Sequence, residues 1–221
     1  MILSKKVCNF AELFKVKQTG YTTSAANGVF IISRLSAAGI FCLTSFMKVL
    51  FLDFDGVLNS ESHQRELRQQ KLPVADGFGP LFDPKAVRNL ERILDTVPDA
   101  RVVVISSWKD IHGLSGLREM WRERDLPGSV YSTTNSLLHD RLLFEDLSDP
   151  ATFARMEGEC KGREAICWLA SNEVPDAPYV IIDDCTGFPA SLQSHLVMTD
   201  PLYGLLDFDA DKAIHILNCY L

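Results

Sequence analysis

No stretch of this chain constrains its fold as tightly as KVLFLDFDGVLNS, residues 48–60. Val49, Leu50, Phe51 and Leu52 form a continuous apolar run of β-favouring composition, the pattern of a strand buried on both faces of a sheet. Such a strand has no structural use for acids at its end. Asp53 and Asp55 would repel each other in a half-dry crevice unless a cation, or a proton shared between them, offset that repulsion. Their position points to chemistry.

The same pattern returns twice. Val102–Ile105 is a second buried-strand run, ending in Ser106 and Ser107, and Tyr179–Ile182 is a third, ending in Asp183 and Asp184. Between the first two lies a helix recipe, with Asp83 as N-cap, Pro84 at the first helical position, and Val87, Leu90, Ile93 and Leu94 on one face. Residues 60–80 lack apolar periodicity and close on Gly77, Gly79 and Pro80, so they read as a loop of about 20 residues and a candidate functional flap. Residues 112–126 read as partly helical and VYSTTNS as a short strand. Residues 151–172 contain a helix turning Ile166, Trp168 and Leu169 inward, HLVMTD reads as a fourth strand, and DADKAIHILNCYL as a closing helix. A second DFD, residues 207–209, follows no buried strand and has no glycine after it, so Asp209 reads as an N-cap rather than a ligand. Strands alternating with helices predict an α/β fold with a mostly parallel sheet.

The charge is uneven. Residues 1–46 hold five Lys/Arg (Lys5, Lys6, Lys15, Lys17, Arg34) against the single acid Glu12, which leaves residues 47–221 at −11, four more negative than the chain's −7. So acidic a body is a poor non-specific binder of nucleic acid, and Arg118, Arg122 and Arg124 read as the solvated face of a helix. GVFIISRLSAAGIFCLTSF, residues 28–46, is apolar, but it contains Arg34 and several Ser and Thr and barely reaches the roughly 20 residues a bilayer requires. Residues 1–46 are therefore expected to be a leader or disordered extension without stable membrane insertion, an organelle transit peptide remaining open, and the functional domain to run over 47–221 from Met47. The six cysteines form no CxxC pair and no zinc-type spacing, which suits a reduced, cytoplasmic setting, with Cys185 a small buried residue rather than a nucleophile.

In an open α/β sheet, ligands bind outside the carboxyl ends of the strands. Three strand ends converging there would gather Asp53, Asp55, Ser106, Ser107, Asp183 and Asp184. Four carboxylates on one rim call for a hard divalent cation with oxygen ligands, and Mg²⁺ fits because it completes its shell with water and substrate phosphate. An EF-hand loop is excluded, since the glycine follows Asp55 too early.

FLDFDGVLN resembles the first signature of the haloacid dehalogenase (HAD) superfamily, in which a strand ends in Asp-x-Asp-Gly-(Thr/Val). VVVIS is similar to its second motif, an apolar strand ending in Ser or Thr, and YVIIDD to its fourth, an apolar strand ending in paired acids. Within the superfamily, VISSWK, REAICWL and TDPLYGLLDFDADKAIHIL resemble the small HAD domain type related to Swiss Army Knife RNA repair proteins. The resemblance covers essentially residues 47–221. It implies a Rossmannoid three-layer sandwich with a mostly parallel sheet, and the short segment between Asp55 and the Asp83 helix leaves room for a minimal cap or none.

The resemblance also implies roles. Asp53 would be the nucleophile of a Mg²⁺-dependent phosphomonoester hydrolase working through an aspartyl-phosphate, and Asp55 its acid and base. An Asp rather than a Thr two residues after the nucleophile favours hydrolase over phosphoryl-transfer ATPase. Mg²⁺ would bind Asp53, the backbone carbonyl of Asp55 and Asp183, with Asp184 supporting metal-bound water, orienting a lysine or capping its turn. Gly56 would allow the sharp turn and Ser106 would donate to the phosphoryl oxygens. The basic third motif falls on Lys161 or Arg163, and Lys161 is preferred. Asn59 and Trp108 would line the entrance. Asn59, Gly56, Ser107 and Arg163 complete the phosphate-binding candidates, Ser107 with a structural reading beside it. The expected partner is a phosphorylated small molecule or nucleic-acid end. Two alternatives stand beside this reading: a catalytically idle HAD-fold binding module, and a metal-dependent glycosyltransferase of the Asp-x-Asp type.

Overall fold

The computed structural model describes residues 21–26, 29–36, 39–137 and 149–219. The chain divides into two compact units, Met1–Ser45 and Phe46–Leu221. In the first, β1 (Tyr21–Ala26), β2 (Val29–Ser36) and β3 (Gly39–Phe46) form a three-stranded sheet in that order, with β1 antiparallel to β2. None of the described helices is long and apolar enough to cross a membrane. Residues 1–20, with four of the basic residues of the N-terminal segment, lie outside the described residues.

The second unit is built on five strands. In addition to a two-residue antiparallel ladder, β5 (Ala75–Asp76) with β6 (Gly79–Pro80), it contains β4 (Lys48–Leu52), β7 (Ala100–Val104), β8 (Val130–Thr133), β9 (Tyr179–Asp183) and β10 (Leu196–Met198). The five pair in the order β10-β9-β4-β7-β8, every pair parallel. The chain builds outward from β4 to β7 and β8, then crosses back to β9 and β10. This reversal makes the end of β4 a topological switch point.

Period-two alternation explains why β4 is apolar throughout. Leu50, Leu52, Val102, Val104, Val180 and Ile182 face one side and join a core with helices α2 (Pro84–Thr96), α3 (Trp108–Glu123) and α5 (Asp207–Asn218). Val49, Phe51, Val103, Ile105, Tyr179 and Ile181 face the other, against Ala165, Trp168 and Leu169 of α4 (Pro150–Ser171). Helices on both faces of a parallel sheet make the expected three layers, and each fully buried large apolar side chain contributes roughly 1.5–3 kcal/mol. Asp83 caps α2 as expected, its side chain accepting from the Lys85 N–H at 2.8 Å ahead of Pro84.

Three expectations need correction. Residues 60–80 are not a structureless loop, because α1 (Glu61–Gln69) occupies nearly half of them. That helix is polar on most sides, so it shows no apolar period. It is held by the Ser60 cap, a Glu61–Arg65 ion pair, the buried Leu67, and bonds from Glu61 and Ser62 N–H to the Pro201 and Leu202 carbonyls. Ile166 is 44% exposed rather than inward, since Ala165, Trp168 and Leu169 share the helical face that meets the sheet. Asp209 is not the N-cap of α5. Leu206 is, and Asp209 sits three positions in, accepting from the Leu206 N–H at 3.0 Å.

Candidate active site

The sheet register brings three strand ends to one edge. The Asp53 N–H donates to the Ile182 carbonyl at 3.0 Å, tying the end of β4 to β9, and the Ile105 N–H donates to the Leu52 carbonyl at 3.0 Å, tying it to β7. Asp53, Ser106 and Asp183 are all buried there. A lysine from the opposite layer reaches the same place. Gly158 of α4 lies against Gly187 of the loop after β9, so close that a Cβ on Gly187 would stand 2.0 Å from the Arg155 carbonyl oxygen. Only glycine permits that approach.

The Lys161 ammonium is the hub of the cluster. It donates to Asp53 Oδ2 at 2.7 Å and to Asp183 Oδ1 at 3.2 Å, with Glu157, one turn earlier on α4, at 3.2 Å and the Cys185 sulfur at 3.5 Å. Burial alone would lower the lysine pKa. Asp53 and Asp183, then Cys185 and Glu157, outweigh it and hold the group well above its ordinary range. The carboxylates respond in kind: burial, then the Asp53 charge, push Asp183 up to about 7 and Asp184 up to about 6 despite the lysine. Burial likewise pushes the Cys185 thiol up, so it stays protonated.

Asp55 is arranged differently. It is exposed, and both of its oxygens accept hydrogen bonds, Oδ1 from the Asn59 amide at 2.6 Å and Oδ2 from the Trp108 indole at 2.9 Å. Gly56 follows with φ +67°, and a Cβ there would lie 2.2 Å from Asp184 Oδ2. The turn thus needs glycine both for its backbone and for the carboxylate pressed against it. The Gly56 carbonyl accepts from the Thr199 hydroxyl at 2.9 Å, which ties the turn to the end of β10.

Of the remaining candidates, Ser106 is fully buried beside the cluster's strand ends, while Ser107 and Arg163 are exposed. It is therefore Lys161, not Arg163, that contacts the acids. Asp53, Lys161 and Asp183 do not themselves line the adjoining cleft, a space of about 550 Å³ bounded by Asp55, Gly56, Asn59 and Asp184 at one end. Asp184 and the Gly56 turn connect the buried cluster to it.

The donor set fits a hard cation. Three carboxylates contact one ammonium, and the buried Asp183 Oδ2 is ion-paired to it at 3.1 Å but receives no hydrogen bond. Asp183, Asp184 and Cys185 present ligand atoms within 4.8 Å of one another, of which the two carboxylates suit magnesium and the protonated thiol does not. Sequence reasoning missed Glu157, although its i, i+4 spacing to Lys161 was a usable signal, and it missed Thr199, for which no signal existed.

Residues 49–210 match the model of the family described as the HAD domain in Swiss Army Knife RNA repair proteins, well over half of the chain. No curated protein and no solved structure matches it.

Proposed function

Since the chain belongs to the HAD-domain family of Swiss Army Knife RNA repair proteins, whose general chemistry is phosphoester hydrolysis, we propose that it is a Mg²⁺-dependent phosphomonoester hydrolase working through an aspartyl-phosphate on Asp53. The observation that carries this reading is the Lys161 ammonium held between Asp53 and Asp183 at the ends of neighbouring strands. The substrate is a nucleotide or polynucleotide phosphate, in keeping with the family's RNA-repair setting. We place the reaction in the cytoplasm, where the four described free cysteines remain reduced.

Asp53, Asp183, Asp184 and the Asp55 carbonyl would hold the magnesium ion, which when bound supplies positive charge against the anionic substrate. The Phe54 N–H and Lys161 fix the two oxygens of Asp53, at 2.8 and 2.7 Å, and so aim its carboxylate. Asp53 attacks phosphorus, the O–P bond to Asp53 forms, the ester O–P bond breaks, and the leaving oxygen takes a proton from Asp55. Water then attacks the phosphoryl group, gives its proton to Asp55, and frees Asp53 with inorganic phosphate. Lys161 offsets charge on the transferring group and Ser106 donates to its oxygens. Among the described residues no separate cap domain is inserted between Asp55 and Asp83, which suits a bulky ester.

Hydrolysis of a generic aryl phosphate tests the proposal. Activity should require Mg²⁺ and fall roughly 10³-fold or more in Asp53→Asn. No turnover across a broad panel of phosphate esters would instead favour an idle binding module; family membership leaves the glycosyltransferase reading without support.

A further inference from the structure

The cleft has a second wall that the hydrolytic chemistry does not use. It is formed by Glu61, Gln64, Arg65 and Arg68 of α1. Their spacing, i, i+3, i+4 and i+7, is that of a single helical face, so the whole inner face of α1 is turned toward the space next to Asp55 and Asp184. At about 550 Å³ the cleft falls in the size range that takes a whole small ligand, far more than one phosphoryl group fills.

We propose that Arg68, supported by Arg65, binds a second phosphate of the substrate, so that this enzyme prefers esters carrying two phosphates over those carrying one; the proposal rests on the phosphatase reading above. Arg65 is already engaged by Glu61 at 2.6 Å. Arg68 is exposed and in no ion pair among the described residues, a cation facing the cleft of an otherwise acidic body. Its planar fork suits bidentate phosphate binding. It lines the cleft from α1, whereas Lys161 does not line that space, so the two cations serve different parts of a bound ester. The helix presenting it is firmly seated: Leu67 is buried, Gln64 donates to the Leu81 carbonyl at 2.9 Å, and the first turn is bonded to Pro201 and Leu202. A cation presented from a seated helix selects for the separation of two anions.

Steady-state kinetics of the full chain with Mg²⁺ decide the matter, using a nucleoside monophosphate, the matching nucleoside bisphosphate, and an oligonucleotide bearing the same terminal phosphate. The second phosphate should raise kcat/KM roughly tenfold or more, chiefly through KM. Arg68→Ala should remove that preference, Arg68→Lys should restore part of it, and Arg122→Ala, which deletes the same charge from the exposed face of α3, should keep it. A gain with the bisphosphate identifies a small molecule as source, and a gain confined to the oligonucleotide identifies a polynucleotide end; both support the subsite. Equal kcat/KM for all three substrates in the unaltered protein, or a preference that survives Arg68→Ala, overturns it. If no ester is hydrolysed, the phosphatase reading fails instead, and calorimetric binding of the bisphosphate against the monophosphate, with and without Arg68, tests the subsite alone by the same criterion.

Discussion

Two lysines are buried in this molecule to nearly the same degree, Lys109 at 8% and Lys161 at 5% exposure, and their surroundings differ in one respect. Among the described residues Lys109 faces a single carboxylate, Glu164, at 3.2 Å, and it also donates to the Ile105 carbonyl at 3.0 Å. Glu164 in turn accepts from the Thr134 hydroxyl at 2.7 Å and the Leu137 N–H at 2.8 Å, so both of its oxygens are occupied. Charges balance there. Around Lys161, three carboxylates share one ammonium, and the buried Asp183 Oδ2 has only an ion pair to it at 3.1 Å and no hydrogen bond. A buried lysine does not mark a site; an uncompensated excess of its partners does.

The widest separation between the two regions should be in chemistry. Lys161→Met should lower kcat on an aryl phosphate by roughly 10³-fold, beyond anything a loss of packing explains, and a fall of less than about tenfold would break the contrast.

Stability should move in opposite directions. Glu164→Gln strands a buried ammonium and should cost about 3–5 kcal/mol in denaturant unfolding. Asp183→Asn in metal-free protein removes surplus negative charge and should not destabilise at pH 8. Equal losses from both would show that the Lys161 cluster is balanced after all.

Titration sharpens the same point. The folded-state values of Asp183 and Asp184, about 7 and about 6, lie above the ordinary 3.8, so the folded protein holds these protons more tightly than the unfolded chain. The stability they confer is full below about pH 4 and disappears as pH rises through 6 and then 7. The melting temperature of metal-free protein should therefore fall by several degrees between pH 5 and pH 8, and added Mg²⁺ should recover it at pH 8. A flat profile in chelator would contradict the assignment.

Asp55 is the intermediate case, in the site yet fully hydrogen-bonded, and the smallest effect belongs to it. Trp108→Phe deletes the indole donor and should change kcat by about tenfold or less, with KM little altered.

The sequence showed those features that one strand or one helix encodes by itself. Continuous apolar runs located β4, β7 and β9 and the polar residues at their ends, and Asp83-Pro84 located the start of α2. Helix α1 escaped because a cap, an ion pair and contacts to residues 201–202 hold it, none of which leaves an apolar period. Position within a helix was also blurred, as Ile166 and Asp209 show, because neighbouring residues differ by 100° in facing and one position of slip changes a role. The family resemblance points to Lys161 and Trp108, but their partners were not visible in the sequence: Trp108 meets Asp55 across 53 residues and Lys161 meets Asp53 across 108. Only the sheet order and the Gly158–Gly187 contact bring such distant residues together.

The central claim is that the surplus acids around Lys161 exist to hold a divalent cation. Isothermal titration of Mg²⁺ into the full chain at pH 8 tests it most directly. One ion should bind saturably, and Asp183→Asn should abolish the binding. Absence of saturable heat, or the same isotherm in both proteins, would contradict it.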